Sequence, residues 1–210
     1  MIAVDGPAAS GKGTVSSRLG EAFGFPVLDT GLLYRGVAAR VLQAGGDLDD
    51  EEAAAAAARS LDVDRLDDPA LRTRDAGEAA SRVAAQPAVR EALVAVQRAF
   101  AAREPGAVLD GRDIGTVIAP NADVKLYVTA SPQARAERRY RQLRAGGEAV
   151  SYDDILADIE RRDARDGGRA SAPLRQAADA VLLDTTEMTI EMSFDAARRI
   201  VEAARGAGRG

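Results

Sequence analysis

The sequence predicts an α/β fold, a five-stranded parallel sheet with helices on both faces. Short apolar runs alternate along the chain with stretches in which apolar residues recur at helical spacing. Strands that alternate with helices are typical of βαβ units and a parallel sheet. Two of the runs end at an aspartate that opens an arginine-bearing motif, at Asp29 and Asp110. The carboxyl ends of parallel strands form the ligand-binding edge of such sheets, so these two motifs indicate a site there.

The elements follow from these patterns in chain order. The apolar runs predict strands over 2–4, 27–28, 107–109, 124–128 and 181–183. The helical spacing predicts helices over 13–23, 32–42, 88–102, 133–144, 152–162 and 189–204. Pro87 precedes the third helix, and the glycine pairs 146–147 and 167–168 interrupt the later part of the chain. Residues 47–80 carry eleven acids against four arginines and an alanine run at 53–58, which predicts an acidic, mostly helical insert.

Composition excludes several kinds of chemistry. The 210 residues contain no cysteine and no histidine, which removes disulfides, thiol nucleophiles, cysteine or histidine zinc sites and imidazole bases. The net charge of −5 argues against nucleic acid or an anionic membrane as the main partner. No apolar run approaches the roughly 20 residues that span a bilayer, and the N-terminus lacks the pattern of a signal peptide. We therefore expect a cytoplasmic protein.

The strongest motif follows the first predicted strand. It reads Gly6, Pro7, Ala8, Ala9, Ser10, Gly11, Lys12, Gly13 and Thr14, and it fits the phosphate-binding pattern G-x-x-x-x-G-K. Backbone amides and the start of the following helix would surround phosphate oxygens, and Lys12, one of only two lysines, would add a charge at the β- and γ-phosphates of ATP. Because Gly13 separates the lysine from Thr14, that hydroxyl is a weak candidate for a magnesium ligand, and contact with a phosphate is the alternative.

Arginine-bearing motifs mark a second phosphate site. Asp29-Thr30-Gly31-x-x-Tyr34-Arg35 and Asp110-Gly111-Arg112-Asp113 each follow a predicted strand. Arg162, Arg165, Asp166 and Arg169 share one helical face beside the glycine pair 167–168, which is typical of a mobile lid that closes over phosphates. Surface salt bridges and a solvated charged helix are the alternative interpretations of these clusters.

Together these motifs resemble bacterial cytidylate kinases, a branch of the nucleoside monophosphate kinases. The resemblance covers nearly the whole chain and is most specific over 5–14, 28–35, 80–90, 110–116 and 160–173. It implies a P-loop kinase fold and transfer of the γ-phosphoryl group from ATP to CMP or dCMP, with Mg²⁺ as cofactor. The ligands of the metal stay unassigned.

The resemblance also implies a role for each motif. The loop 6–14 and Lys12 would hold the ATP phosphates. Arg35 and Arg112 would clamp the acceptor phosphate, with Thr30 and Tyr34 beside it. Ser81, Arg90 and Asp113 would read cytosine. Arg162 and Asp166 would meet the ribose and phosphate region, while Arg165 and Arg169 would contact the transferring phosphoryl group. The catalytic set is then Lys12, Arg112, Arg162, Arg165 and Arg169.

The resemblance further implies one P-loop kinase domain over 1–210. Its core would comprise 1–46, 84–155 and 175–204, with a lid at about 156–174 and a frayed tail at 205–210. The monophosphate-binding insert, at about 47–83, is trimmed, because 61–71 is too short and too acidic for the small antiparallel sheet of the family. Two alternatives stay open: a P-loop kinase for another acceptor, such as another nucleoside monophosphate or shikimate, and a non-catalytic ATP-dependent switch. Without a heptad pattern or a spare apolar face, we expect a monomer.

Overall fold

The computed structural model describes residues 1–63 and 66–207. They divide into two compact units, a sheet unit of residues 1–28 and 98–207 and a helical unit of residues 29–97. The strands are β1 (Ile2–Asp5), β2 (Val27–Asp29), β3 (Val108–Gly111), β4 (Val124–Thr129) and β5 (Val181–Asp184). The α-helices are α1 (Lys12–Phe23), α2 (Thr30–Gln43), α3 (Glu51–Arg59), α4 (Arg74–Val83), α5 (Pro87–Ala101), α6 (Pro132–Ala145), α7 (Tyr152–Gly167) and α8 (Ile190–Ala207).

The five strands form one sheet in the order β2-β3-β1-β4-β5. β1 pairs in parallel with β3 on one side and with β4 on the other, and β4 pairs in parallel with β5. The sheet order therefore reverses at β1. In open α/β sheets the crevice at the carboxyl end of such a strand binds ligands. The loop with the phosphate-binding pattern leaves β1 at this point.

One face of the sheet is covered by α1 and α8. Ile2 and Val4 of β1 pack with Val15 and Leu19 of α1 and with Val201 of α8. Asp110 is level with Val4 in the neighbouring strand, so its side chain points to the same face. Asp5 points to the opposite face, where a π-helical turn at Ile114–Ile118 follows β3. The sequence analysis did not anticipate this turn.

Capping side chains explain where several helices begin. The side-chain oxygens of Asp29, Asp50, Thr73, Ser131 and Ser151 accept backbone hydrogen bonds at the starts of α2, α3, α4, α6 and α7. Such caps satisfy amide groups that a helix leaves unpaired at its N-terminus.

The helical unit is built around α2, which packs on α3 and α4. The boundaries between the two units lie at 28/29 and 97/98, whereas the insert expected from the sequence comprised only 47–83. The division of the chain into core, insert and lid, as expected from the sequence, stays a prediction. The described part of 47–83 contains two α-helices and a 3₁₀ turn at Pro69–Arg72, but no strand. Asp64 and Arg65 of the expected insert lie outside the described residues.

Two helices run further than their patterns predicted. α7 continues from Tyr152 to Gly167, through the arginine cluster, and ends at the expected glycine pair. α8 continues to Ala207, so residues 205–207 of the expected frayed tail are helical, while 208–210 lie outside the described residues. Among the described residues, no helix has the length and apolar character needed to cross a membrane.

Candidate active site

The loop of residues 6–14, called here the phosphate loop, joins β1 to α1 in a conformation that selects glycine. A Cβ atom on Gly6 would lie 2.0 Å from the carbonyl oxygen of Val128 in β4. Gly11, with a φ of 89°, and Ala9, with a φ of 59°, adopt left-handed backbone conformations. Backbone turned in this way directs successive amides toward one concave surface, the arrangement that binds anions. The start of α1 at Lys12 adds the positive end of a helix dipole.

Lys12 and Asp110 form an ion pair at the end of the phosphate loop. Their Nζ and Oδ1 atoms are 3.5 Å apart, and the Asp110 side chain is only 3% exposed. Gly13 leaves room for this carboxylate, because a Cβ atom there would lie 3.3 Å from its Oδ2 atom. Thr14, in contrast, is exposed. Asp110 lies near the carboxyl end of β3 and Lys12 begins α1, so the pair links the start of this helix to the neighbouring strand.

A second cluster centres on the buried carboxylate of Asp166. Arg112 Nε donates to its Oδ2 atom at 2.9 Å, and Arg169 Nη2 donates to its Oδ1 atom. Burial opposes ionisation of this group, but Arg112, Arg169 and Arg162 outweigh it and hold the pKa of Asp166 below its usual range. One aspartate thus assembles arginines from two distant segments of the chain. Asp166 was expected to contact the substrate, and pairing with Arg112 was not foreseen.

The helix α7 that carries these arginines is fastened to the phosphate loop. Arg135 of α6 donates two hydrogen bonds to Asp163 of α7, at 3.0 and 2.5 Å, and a longer one of 3.3 Å to the carbonyl of Ala8. The Arg135 side chain is 3% exposed. Sequence reasoning missed this link, because the sequence does not show which of the five arginines of α6 is buried.

Asp5 is another group that sequence reasoning missed. Its carboxylate accepts hydrogen bonds from the amides of Ile114 and Gly115, at 2.8 and 2.7 Å. Burial is the largest influence on this carboxyl group, and with the nearby Asp113 it raises the pKa of Asp5 to about 6, against the opposing effects of both amides and Arg112. The available signal was its position, a charged residue at the end of a buried strand.

The helical unit brings two predicted acceptor residues together. The guanidinium carbon of Arg90 lies 5.7 Å from the ring centroid of Tyr34, within cation–π range. Arg90 also donates to the carbonyl of Ala84 at 3.3 Å. Ser81 is buried on α4, and its hydroxyl has no hydrogen-bond partner among the described residues. Thr30 is buried at the first position of α2.

Arg35 is held by the backbone just before α4. Its Nη1 atom donates to the carbonyls of Leu71 and Thr73, at 2.5 and 3.2 Å. These two carbonyls therefore orient the predicted phosphate-binding side chain of α2. Thr30, Tyr34, Arg35, Ser81 and Arg90 belong to the helical unit, whereas the phosphate loop, Arg112, Asp113 and the α7 arginines belong to the sheet unit.

Sequence comparison decides the family. The cytidylate kinase family model matches residues 2–203. The chain belongs to the cytidylate kinase family. It is 67% identical to the cytidylate kinase of Caulobacter sp. strain K31, over 98% of this chain and 95% of that protein. It is 62% identical to the enzyme of Azorhizobium caulinodans, over 98% of this chain and 100% of that protein.

Membership of the cytidylate kinase family confirms the predicted activity class. The chain is an ATP-dependent nucleoside monophosphate kinase, and the family reaction is phosphorylation of CMP and dCMP by ATP. Solved structures support the fold alone. An uncharacterised protein from Eubacterium ventriosum matches with a TM-score of 0.55 at 13% identity, over 97% of both chains. A gluconokinase from Sinorhizobium meliloti matches with a TM-score of 0.50 at 17% identity, over 98% of this chain and 94% of that one.

Proposed function

We propose that this cytidylate kinase works by positioning and charge neutralisation, with the donor on the phosphate loop and the transferring group beneath the arginines around Asp166. The observation that carries the proposal is the shared carboxylate of Asp166, which holds Arg112 and Arg169 together. Phosphoryl transfer passes through a loose transition state whose charge lies on the equatorial oxygens, so it requires cations rather than an acid or base. A chain without histidine but rich in arginine meets that requirement.

The donor phosphates would bind the amides of residues 6–14 and the ammonium group of Lys12. The left-handed residues Ala9 and Gly11 support this assignment, since they turn amides inward. Lys12 already faces a carboxylate in Asp110, so its charge is held at the loop. The ammonium would shift part of its interaction to the β- and γ-phosphate oxygens when ATP binds.

Asp110 is the protein group that we propose for magnesium. It is a buried carboxylate within 3.5 Å of Lys12, at the loop that would hold ATP. The described residues contain no group of three or more acidic side chains that could form a complete metal cage. One carboxylate suits Mg²⁺, which binds through one or two carboxylates together with substrate phosphates and water. Bound there, the ion would neutralise charge on the donor phosphates.

We propose three groups of residues for the acceptor. Arg112 and Arg35 would bind the CMP phosphate, Arg162 and Asp166 the ribose region, and Ser81, Arg90 and Asp113 the base. The buried Ser81 hydroxyl supports the base assignment, because an unpaired buried hydroxyl is costly until a ligand pairs with it. The stacking of Arg90 on Tyr34 would hold its guanidinium in one orientation.

A substrate panel tests the proposal against the two alternatives. We expect ADP release with CMP and dCMP, and at least a 10²-fold lower kcat/KM with UMP, AMP, GMP or shikimate. A higher kcat/KM for any of those four compounds than for CMP would overturn the assignment of CMP and dCMP as acceptors. Binding of ATP without turnover on any acceptor, and no binding of CMP alone, would indicate a nucleotide-dependent switch.

The arginines of α7 should act on the rate rather than on acceptor binding. Replacing Arg165 or Arg169 with alanine should lower kcat by about 10-fold to 10²-fold and change the KM for CMP by less than about threefold, because contacts formed with the transferring group appear only in the transition state. Steady-state kinetics measure both constants. Arg161→Ala is the matched control, since Arg161 lies on the same helix but is 60% exposed and pairs with Asp158. A raised KM at unchanged kcat would instead place these arginines on the bound acceptor.

Asp110→Asn should raise the Mg²⁺ concentration for half-maximal activity by about 10-fold, because an amide of the same size carries no charge for a hard cation. Titration of activity with Mg²⁺ at saturating ATP measures this. Asp195→Asn, an exposed exchange of the same kind on α8, should leave the Mg²⁺ dependence unchanged. An unaltered dependence in Asp110→Asn would remove Asp110 from the metal site.

We also propose that the enzyme works as a monomer in the cytoplasm, with ATP, CMP and dCMP as its small-molecule partners. The sequence supports this, because it has no heptad pattern or spare apolar face, and its net charge of −5 argues against nucleic acid or an anionic membrane as the main partner. Light scattering at micromolar concentration should give the mass of one chain, 21.9 kDa.

A further inference from the structure

Asp5 lies outside every role assigned above, yet it is one of the most buried charged groups of the sheet unit. It ends β1, directly before the phosphate loop, and its residue is 4% exposed. The hydrogen bonds from Ile114 and Gly115 use both oxygens of the carboxylate. A buried carboxylate without a cationic ion-pair partner is expensive, so a structural role alone would be filled better by a neutral side chain.

The two amides that Asp5 binds follow Asp113 directly in the chain. Asp113 is the residue proposed to accept from the cytosine amino group, and Arg112 precedes it. The backbone φ of Asp113 is −141°, and its own side chain makes no capping hydrogen bond at the start of the π-helical turn that follows it. The Asp5 carboxylate caps this turn instead, and it thereby fixes the backbone that carries the Asp113 side chain.

We propose that Asp5 is a positioning residue for base recognition, holding the 113–115 backbone so that Asp113 meets the amino group of cytosine. This inference rests on the proposed function, because it presumes that Asp113 reads the base. The ionised carboxylate accepts both amide hydrogen bonds strongly. Protonation turns one oxygen into a hydroxyl group, which is a weaker acceptor and must itself donate to another group.

The charged and titratable groups on this face of the sheet come from several elements. Arg112 and Asp113 come from the segment after β3, and Tyr127 and Lys125 come from β4. Arg135 of α6 and Asp163 of α7 act on Tyr127 as well. Lys125 is engaged by Asp179 and the carbonyl of Pro120, and burial raises the pKa of Tyr127 above its ordinary value.

Asp110 lies on the opposite face of the sheet. Asp5, with a pKa raised to about 6, is expected to change charge just below neutral pH.

The test compares CMP with UMP as acceptors, through the ratio of their kcat/KM values at pH 7.5. Asp5→Asn should lower this ratio by about 10-fold or more. The side-chain NH₂ group of asparagine is a donor, so one of the two backbone N–H groups would lose its acceptor. Gly115→Ala should lower the CMP/UMP ratio as well, because the new Cβ atom would crowd the Asp5 carboxylate. It would lie 3.3 Å from Asp5 Oδ2 and 3.1 Å from Lys125 Cδ. Asp195→Asn should leave the ratio unchanged. A variant that merely loosened the fold would lower the activity on both acceptors alike.

The pH profile of the unmodified enzyme provides a readout that needs no variant. The CMP/UMP ratio should rise several-fold between pH 5.5 and 7.5, as Asp5 loses its proton, and Asp5→Asn should give a flat profile. The acceptor phosphate titrates in the same range, but it is common to both nucleotides and cancels in the ratio.

The possible failures are distinguishable. A ratio near one in the unmodified enzyme would overturn base reading by Asp113, and the role of Asp5 with it. A high ratio that Asp5→Asn and Gly115→Ala both retain would overturn the role of Asp5 alone. A pH-independent ratio in the unmodified enzyme would also overturn it.

Discussion

Replacing Lys12 with alanine should lower kcat by about 10²-fold or more in a protein that still folds. The phosphate loop places this single ammonium group where charge develops on the donor, and loss of one such contact at the transition state costs about 3 kcal/mol. The KM for CMP should change little, because Lys12 belongs to the donor side of the sheet unit. Single-turnover and steady-state kinetics with CMP measure the loss.

Folding of the Lys12 variant needs its own control, because Lys12→Ala removes the ammonium group that pairs with the buried Asp110 carboxylate. The double variant Lys12→Ala/Asp110→Asn also removes this buried negative charge, and it should regain thermal stability without regaining activity. Arg198→Ala, which removes an exposed cation of α8, should behave as the unmodified enzyme. Near-normal kcat in folded Lys12→Ala protein would contradict the assignment of the phosphate loop.

The second large effect concerns the base of the acceptor. We expect kcat/KM for CMP to exceed that for UMP by about 10²-fold to 10⁴-fold, and dCMP to be accepted alongside CMP. Cytosine offers acceptors at O2 and N3 and a donor at its 4-amino group, which match Arg90 and Asp113. Uracil has a donor at N3 and an acceptor at O4, so the guanidinium would face an N–H and the carboxylate an oxygen. Each such unpaired or repelling buried group costs about 1–3 kcal/mol.

Asp113→Ala should narrow the difference between CMP and UMP, mainly by loss of activity on CMP. Asp113 is 4% exposed and close to Asp5, so thermal unfolding should be recorded beside the kinetics. Asp195→Ala is the surface control on α8. If the unmodified enzyme used UMP and CMP within about threefold of each other, the acceptor class would widen to pyrimidine monophosphates in general.

Much of the sheet unit could be predicted from local patterns. The apolar runs 2–4, 107–109 and 124–128 each lie within or beside an observed strand, since a central parallel strand is buried on both faces and needs continuous apolar sequence. The phosphate loop was predictable because the strand, the glycines and the helix that it needs are contiguous in sequence. Helix ends were predicted less well: α7 passes five residues beyond its expected end at Arg162.

The buried aspartates show where sequence reasoning was insufficient. Ile155 and Ile159 predict the buried side of α7, and the same helical spacing continues through Arg162 to Asp166, so burial of Asp166 was foreseeable. The hydrogen bond that Arg112 donates to Asp166 joins residues 54 positions apart, so this pairing was not foreseeable. The π-helical turn after β3 likewise depends on the Asp5 carboxylate, 109 positions upstream of Ile114.

The sequence by itself determined the order of strands and helices, the phosphate loop and the family motifs, because each is encoded by neighbouring residues. Only the tertiary structure decided which groups orient which side chains. It pairs Lys12 with Asp110, Arg112 and Arg169 with Asp166, Arg35 with the carbonyl of Leu71, and Asp5 with the amide of Ile114 beside Asp113. The physical reason is that a buried charge must find partners wherever the packed chain brings them, and sequence distance does not limit that choice.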